Sequence, residues 1–399
     1  MDKLSPLAAV EIQLIMQNLC CNDLLHFAGC NRLLHQLASC SFVWKYASEV
    51  LISNKSLTLI QLCRRIKKLG VLSTPKISLL QRISLHVKFE GNVSVVKYNM
   101  KSLFETMVEF GSSRITCIEL IDCKDTSTFI SFLPLFSSIT RLHLSSNNIY
   151  GNEAVSLAGA IKDNKSLTSI NLNNNYLDDD GINALIPSLQ TCPNLTSIDV
   201  SSNLFHSAGV VALASVFGHM KKIFLGDNYT SPIPLRELFA KIKESASLQT
   251  VCLEMTDLDE EELVIVSDII KHHTSLTSIN LGKNSMRDQN RAISALADAI
   301  ANNKSLISLD LHGCQFGDKG MKVLAGALKS NQTLTNVNFS DCNINDHGIT
   351  YISDVLKHNS VLKYIDLTIN RFSKRSTLFF ELISSELHGP NKKGRRIHW

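Results

Sequence analysis

The stretch Leu167-Thr168-Ser169-Ile170-Asn171-Leu172-Asn173-Asn174-Asn175-Tyr176-Leu177 decides the fold of this chain, because its spacing returns along most of the sequence. Written as L-x-x-L-x-L-x-x-N-x-L, the pattern starts at Ile139, Leu167, Leu195, Met220, Leu248, Leu276, Leu306, Leu334 and Leu362. Successive starts are 28 residues apart in most cases, with one interval of 25 and one of 30. Ile115-Ile118-Leu120-Cys123 adds a tenth match, and Leu80-Ile83-Leu85 reads as a degenerate first. A period held over so many turns marks a stacked-repeat architecture.

Each half of the unit has its own physics. The L-x-L core alternates with period two, which predicts a short strand. The Asn follows where the chain turns, and its amide suits backbone groups that the turn leaves unpaired. Cys123, Cys314 and Cys342 take its place in three units, and Thr256 in another. The second half is helical, since Ala154-Leu157-Ala158-Ile161 and Met321-Leu324-Ala325-Leu328 recur at i, i+3, i+4 and i+7. Gly181, Gly209, Gly320 and Gly348 mark the helix start, with Asp180, Asp318 and Asp346 just ahead, where carboxylates favour exposed N–H groups. Lys162, Lys271, Lys329 and Lys357 fall in last turns, the favourable end for cations.

A lone strand and helix cannot bury both apolar faces, so the units must stack. In unit length and helical second half they resemble the ribonuclease-inhibitor subtype of leucine-rich repeats. The resemblance implies an α/β leucine-rich-repeat solenoid, a horseshoe with parallel strands on the concave face and helices on the convex face. It covers residues 115–387 in about ten repeats and says little about function, because the subtype serves many.

Composition narrows the field. The chain has 399 residues, of which 44% are hydrophobic, and no apolar run approaches the ~18 residues that span a bilayer, so no membrane role is expected. Asp2, Pro6 and Glu11 interrupt the first apolar stretch, which suits a secretory signal poorly. Eleven cysteines without metal spacing fit reduced thiols and a cytoplasmic protein. Of the Asn-x-Ser/Thr sequons, Asn164, Asn194 and Asn303 read as by-products of one repeat position. Residues 1–114 carry 14 basic and 7 acidic side chains, whereas 115–387 carry 22 and 29. A solenoid of that acidic sign repels phosphate backbones, which argues against nucleic acid as a partner.

Residues 1–50 do not repeat. They read as about three short helices, a set too small to be stable without packing on something. The string Ile15-Met16-Gln17-Asn18-Leu19-Cys20-Cys21-Asn22-Asp23-Leu24-Leu25, followed by Cys30 and Val43-Trp44, resembles an F-box. Departures are Ser5 between Leu4 and Pro6, Gly29 in place of the usual Val, and no Trp after Arg32. F-box domains dock onto the Skp adaptor of cullin-RING ubiquitin ligases, while a C-terminal repeat domain recruits the substrate. The resemblance therefore implies an adaptor-binding set of Pro6, Ile12, Ile15, Leu19, Asp23, Leu24 and Leu25. The alternative is that these helices only cap the first repeat.

Residues 51–114 read as linker helices, with a basic amphipathic helix around 57–69, plus the degenerate repeat. Residues 388–399 form a basic tail in which Lys392, Lys393, Arg395 and Arg396 leave nuclear entry open. No phosphate loop, HExxH, GxSxG or kinase signature occurs, so neither enzymatic activity nor a cofactor is expected. The acidic runs Asp178-Asp179-Asp180 and Asp259-Glu260-Glu261-Glu262 fall at helix starts, where the backbone dipole accounts for them without metal.

A protein partner is expected on the concave strand face of the fifth and sixth units, which begin at Met220 and Leu248 when the Ile115 match is counted as the first. Outward positions there are Lys221, Lys222, Phe224 and Asp227, then Cys252, Glu254 and Met255. Other units hold Thr168, Ser169, Asn171 and Asp199 in those slots, so Phe224 and Met255 stand as apolar residues on a polar surface. The unit just before, starting at Leu195, is the shortened one, and Pro232 and Pro234 stand before the helix of the unit starting at Met220.

Overall fold

Branched residues alternating along each L-x-L core favour extended backbone, and laying such strands side by side pairs their N–H and C=O groups in a parallel sheet. The computed structural model describes residues 49–52, 85–90, 108, 115–122, 126–228, 235–374 and 396–398. Its strands are β1 (Glu49–Ile52), β2 (Leu85–Glu90), β3 (Ile115–Ile121), β4 (Arg141–His143), β5 (Ser169–Asn171), β6 (Ser197–Asp199) and β7 (Lys222–Phe224). Then come β8 (Thr250–Cys252), β9 (Ser278–Asn280), β10 (Ser308–Asp310), β11 (Asn336–Asn338), β12 (Tyr364–Asp366) and β13 (Arg396–His398). Helices alternate with them: α1 (Thr126–Phe132), α2 (Gly151–Ile161), α3 (Asp179–Gln190), α4 (Ser207–Ala214), α5 (Arg236–Glu244), α6 (Glu260–His272), α7 (Asn290–Asn302), α8 (Gly317–Ser330) and α9 (Asp346–His358).

Two compact units divide the chain, residues 1–176 with 187–195, and residues 177–186 with 196–399. In the first, β1 to β5 pair in parallel, with Ile118, Leu142 and Ile170 in one register row. In the second, β6 to β13 pair in parallel, and Ile198, Ile223, Val251, Ile279, Leu309, Val337, Ile365 and Ile397 form the corresponding row. Leu172 and Leu281, the second leucines of their L-x-L cores, are buried as the alternation requires. The helical stripes Ala154-Leu157-Ala158-Ile161 and Met321-Leu324-Ala325-Leu328 are likewise buried.

The turn asparagines do more than satisfy their own turn. Asn175 donates from Nδ2 to the carbonyls of Leu172 (2.9 Å) and Leu144 (2.9 Å), and its Oδ1 accepts from the N–H groups of Asn147 (3.0 Å) and Ile149 (3.1 Å). Asn284 repeats the arrangement toward Leu281, Leu253, Thr256 and Leu258. Each buried amide therefore stitches one repeat to the one before it. Cys314 and Cys342 link repeats through a single sulfur, which donates to the carbonyls of Leu281 (3.3 Å) and Leu311 (3.0 Å) and faces the backbone N–H groups of Asn284 and Cys314, respectively.

A second ladder closes the helix ends. Asn303, Asn331 and Asn359 donate to Ile270, Ile300 and Leu328 of the preceding repeat, at 2.6, 2.7 and 2.6 Å. Cys192 occupies this position in its own unit, so Asn194 lies two residues beyond it and the expected equivalence with Asn164 and Asn303 does not hold. The carboxylates at helix starts also differ from expectation. Asp179, rather than Asp180, is equivalent to Asp318, and both reach forward: Asp179 accepts from the N–H groups of His206 (2.9 Å) and Gly209 (2.8 Å), Asp318 from those of Asn345 (2.8 Å) and Gly348 (3.0 Å). Glycine is required there by closeness, since a Cβ on Gly209 would lie 2.6 Å from the Asp179 carboxylate.

The ends depart from the expected boundaries. Glu49–Ile52 is a strand at the close of the segment read as helical, and β2 begins at Leu85, where the degenerate match stops. Leu85-His86-Val87-Lys88-Phe89-Glu90 alternates apolar and polar residues, and its register sets Val87 and Phe89 beside Ile118 and Leu120, four residues beyond the Ile83 and Leu85 of the expected match. Arg396–His398 pairs with β12, so these basic residues extend the sheet past the expected limit at 387. Pro6, Ile12, Ile15, Leu19, Asp23, Leu24 and Leu25, the basic stretch at 57–69, Pro232, Pro234, and Lys392, Lys393 and Arg395 lie outside the described residues.

Candidate partner-binding face

The outward residue that ends each strand has a structural task in most repeats. Its side-chain oxygen accepts from the N–H two residues on, closing an Asx turn. Asn171 does so toward Asn173 (2.8 Å), Asp199 toward Ser201 (3.1 Å), Asn280 toward Gly282 (2.8 Å), Asp310 toward His312 (2.9 Å), Asn338 toward Ser340 (3.0 Å) and Asp366 toward Thr368 (3.0 Å). From β5 to β12 two strands break the rule, β7 with Phe224 and β8 with Cys252. The Cys252 sulfur still accepts from the Glu254 N–H, and burial pushes its thiol up to about 11, so it remains protonated at neutral pH. Phe224 has no acceptor at all. Just beyond it Gly226 is buried, and a Cβ there would come within 2.6 Å of the Glu254 carbonyl oxygen.

The residues singled out in the sequence gather on this stretch of the face. Lys222 lies in register between Ser197 and Thr250, and Phe224 between Asp199 and Cys252. Lys221, Lys222 and Asp227 are exposed. Phe224 is half-buried and so does not stand free as expected, because strands flank it on both sides. Met255 is 47% exposed and holds a left-handed backbone, φ 54°. Asn174, Ser202, Asp227 and Asp341 take the same conformation at the equivalent position, where short polar side chains tolerate it. Lys283 and Ile369 take it too, without such a side chain. Met255 lacks that compensation, and such strain costs roughly 1–2 kcal/mol.

Glu254 belongs to a polar cluster that the sequence reading missed. Its Oε1 meets Lys283 Nζ at 2.8 Å and His312 Nε2 at 3.2 Å, while Oε2 accepts from Asn280 Nδ2 at 3.0 Å. His312 also meets Asp310 through Nδ1, at 2.9 Å. Its ring reaches across the intervening repeat because Gly282 has no side chain there; a Cβ on Gly282 would overlap the imidazole. Burial pushes the Glu254 carboxyl up, but the Lys283 hydrogen bond and the His312 charge outweigh it and hold the group below its ordinary value. The signal was present as opposite charges about one repeat apart, at Glu254 and Lys283. The acidic runs at helix starts are spent on structure: Asp259 and Glu262 form a capping box, and Glu261 meets Arg291 at 2.6 Å.

Comparison with known proteins agrees with this architecture. The leucine-rich-repeat family profile matches residues 163–185, 191–214, 302–325 and 330–353. No curated protein is significantly similar in sequence. Among solved structures, a chain of the Rad7–Elc1 complex in yeast aligns over 99% of this chain and 98% of that one, with 15% identity and a TM-score of 0.50. An internalin (InlF) from Listeria monocytogenes aligns over 94% of each chain, with 13% identity and a TM-score of 0.47. The parallel sheet with alternating helices and the matched repeats together define the class: an α/β leucine-rich-repeat solenoid, irregular at the outward ends of the described strands β7 and β8. Among the described residues no helix is long and apolar enough to cross a membrane.

Proposed function

We propose that the chain is the substrate-recognition subunit of a cullin-RING, SCF-type ubiquitin ligase. Its F-box-like helices bind a Skp adaptor, and its strand face around β7 and β8 binds a protein substrate. It acts by proximity, with no reaction or cofactor of its own, in the cytoplasm and with access to the nucleus. The observation that carries the reading is the order of the chain: Ile15-Met16, Leu19, Asp23-Leu24 and Val43-Trp44 precede a long leucine-rich-repeat array. The Rad7–Elc1 structure gives a precedent for a chain of this fold within a two-protein complex, and no more than that.

The competing reading is a scaffold whose N-terminal helices cap the solenoid. It draws support from β1 and β2, which carry the parallel sheet back to residue 49 and leave a short preceding segment beside its edge in sequence. Co-expression with a eukaryotic Skp adaptor separates the two. Wild type should co-purify with the adaptor, and Leu19→Asp/Leu24→Asp should not, since each buried leucine contributes ~1.5–3 kcal/mol. Failure of wild type to bind, together with aggregation of a chain beginning near residue 79, would favour the cap.

A further inference from the structure

In the second unit the residues at and just before the first strand position are mostly hydroxyls and amides: Thr196-Ser197, Gln249-Thr250, Thr277-Ser278 and Thr335-Asn336. Strand β7 replaces them with Lys221-Lys222. Both are exposed, and neither forms an ion pair with a described residue. Several other lysines of this unit are engaged: Lys243 with Asp268 at 2.8 Å, Lys271 with Asp298 at 2.7 Å, Lys283 with Glu254 at 2.8 Å, and Lys329 with Asp354. Lys304, Lys319, Lys322, Lys357 and Lys363 form no ion pair with a described residue, but none of these has a second lysine beside it in sequence. The same strand carries Phe224, the outward residue that does nothing for its turn. Two uncommitted cations thus stand beside an aromatic ring on a surface otherwise occupied with its own hydrogen bonds.

We propose that this face takes a protein segment in which an Asp or Glu lies next to an apolar side chain. The carboxylate meets Lys221 and Lys222 at the strand start, and the apolar group covers Phe224 toward Met255. A carboxylate suits the site better than a phosphate. Lysines offer point charges without the planar fork that grips phosphate, and Asp199, the register partner of Phe224, with Asp227 and Glu254 just beyond, would repel a dianion. This inference rests on reading the β7 face as partner-binding.

The test pans the full chain against a displayed random peptide library, in parallel with Phe224→Asn and with Lys221→Thr/Lys222→Ser. Each replacement installs the residue type that neighbouring repeats hold at that position, so thermal melts should match wild type. Wild type should enrich peptides that place Asp or Glu within a few residues of an apolar side chain. A synthetic copy should bind either variant about tenfold or more weakly, and added salt should weaken binding to wild type. Enrichment of peptides without carboxylates, or tighter binding of a phosphoserine copy than of the Asp copy, overturns the chemistry and leaves the site. Enrichment of no peptide that distinguishes wild type from Phe224→Asn removes the site itself. A lowered melting temperature of Phe224→Asn assigns the ring to packing and overturns the proposal too. Adaptor binding through residues 4–44 is scored separately and survives all three failures.

Discussion

Strands β7 and β11 are built to one plan and differ at the outward residue that ends them. In β11, Asn338 accepts from the Ser340 N–H (3.0 Å) and hydroxyl (2.8 Å) and donates to Asp310 Oδ2 (3.1 Å). In β7, Phe224 does none of this, yet Ile223 beneath it and Leu225 after it are as buried as Val337 and Phe339. The inward half of the repeat is thus the same in both places, and the outward half is not. Where an outward residue closes its own turn, stability accounts for its identity. Phe224 has no such account, which is why it is assigned to binding.

The largest effects should be indifferent to the comparison. Leu172→Ala, Leu281→Ala and Leu225→Ala should each lower stability by ~2–5 kcal/mol, because each leaves a cavity at the same inward repeat position of its own unit. Chemical denaturation checks this, and a markedly milder Leu225→Ala would mean that β7 is irregular inside as well as outside. Asn175→Ala and Asn284→Ala come next. Each strips three carbonyls of a donor and two N–H groups of an acceptor, for about 1–3 kcal/mol.

Smaller effects separate the two strands. Asn338→Ala should cost about 0.5–1.5 kcal/mol through the lost turn, measured as a shift in denaturation midpoint. The smallest effect is the acid response of the Glu254 cluster. Glu254 is held below its ordinary value, so its stabilising contribution is present above the unfolded pKa and is lost as pH falls from about 4.5 through the lower folded value. Glu254→Gln should therefore flatten the loss of stability below that pH, by at most about 1 kcal/mol. Identical acid profiles for the two proteins would show that Lys283 and His312 do not stabilise the carboxylate.

The fold was legible because a period of 28 residues repeats its own confirmation. Leu172, Leu281 and the helical stripes could be assigned inward from alternation and i, i+3, i+4 spacing alone. What escaped were links between repeats. Asp179 and Asp318 looked like dipole partners of their own helices, yet they bind the next repeat's backbone, a contact that depends on stacking distance and not on local sequence. His312 reaches Glu254 across two repeats only because Gly282 leaves room, which no single repeat reveals. The patch at Lys221, Lys222, Phe224 and Met255 was legible as a break in a regular series. That Phe224 is half-buried and Met255 left-handed needed the structure.

The most direct test of this division between scaffold and site is the thermal melt of Phe224→Asn, run beside its peptide binding. Asn gives β7 the turn acceptor that β9 and β11 already have, so the melting temperature should equal or exceed that of wild type while binding is lost. A clear drop in melting temperature would contradict the account, because it would make Phe224 part of the scaffold after all.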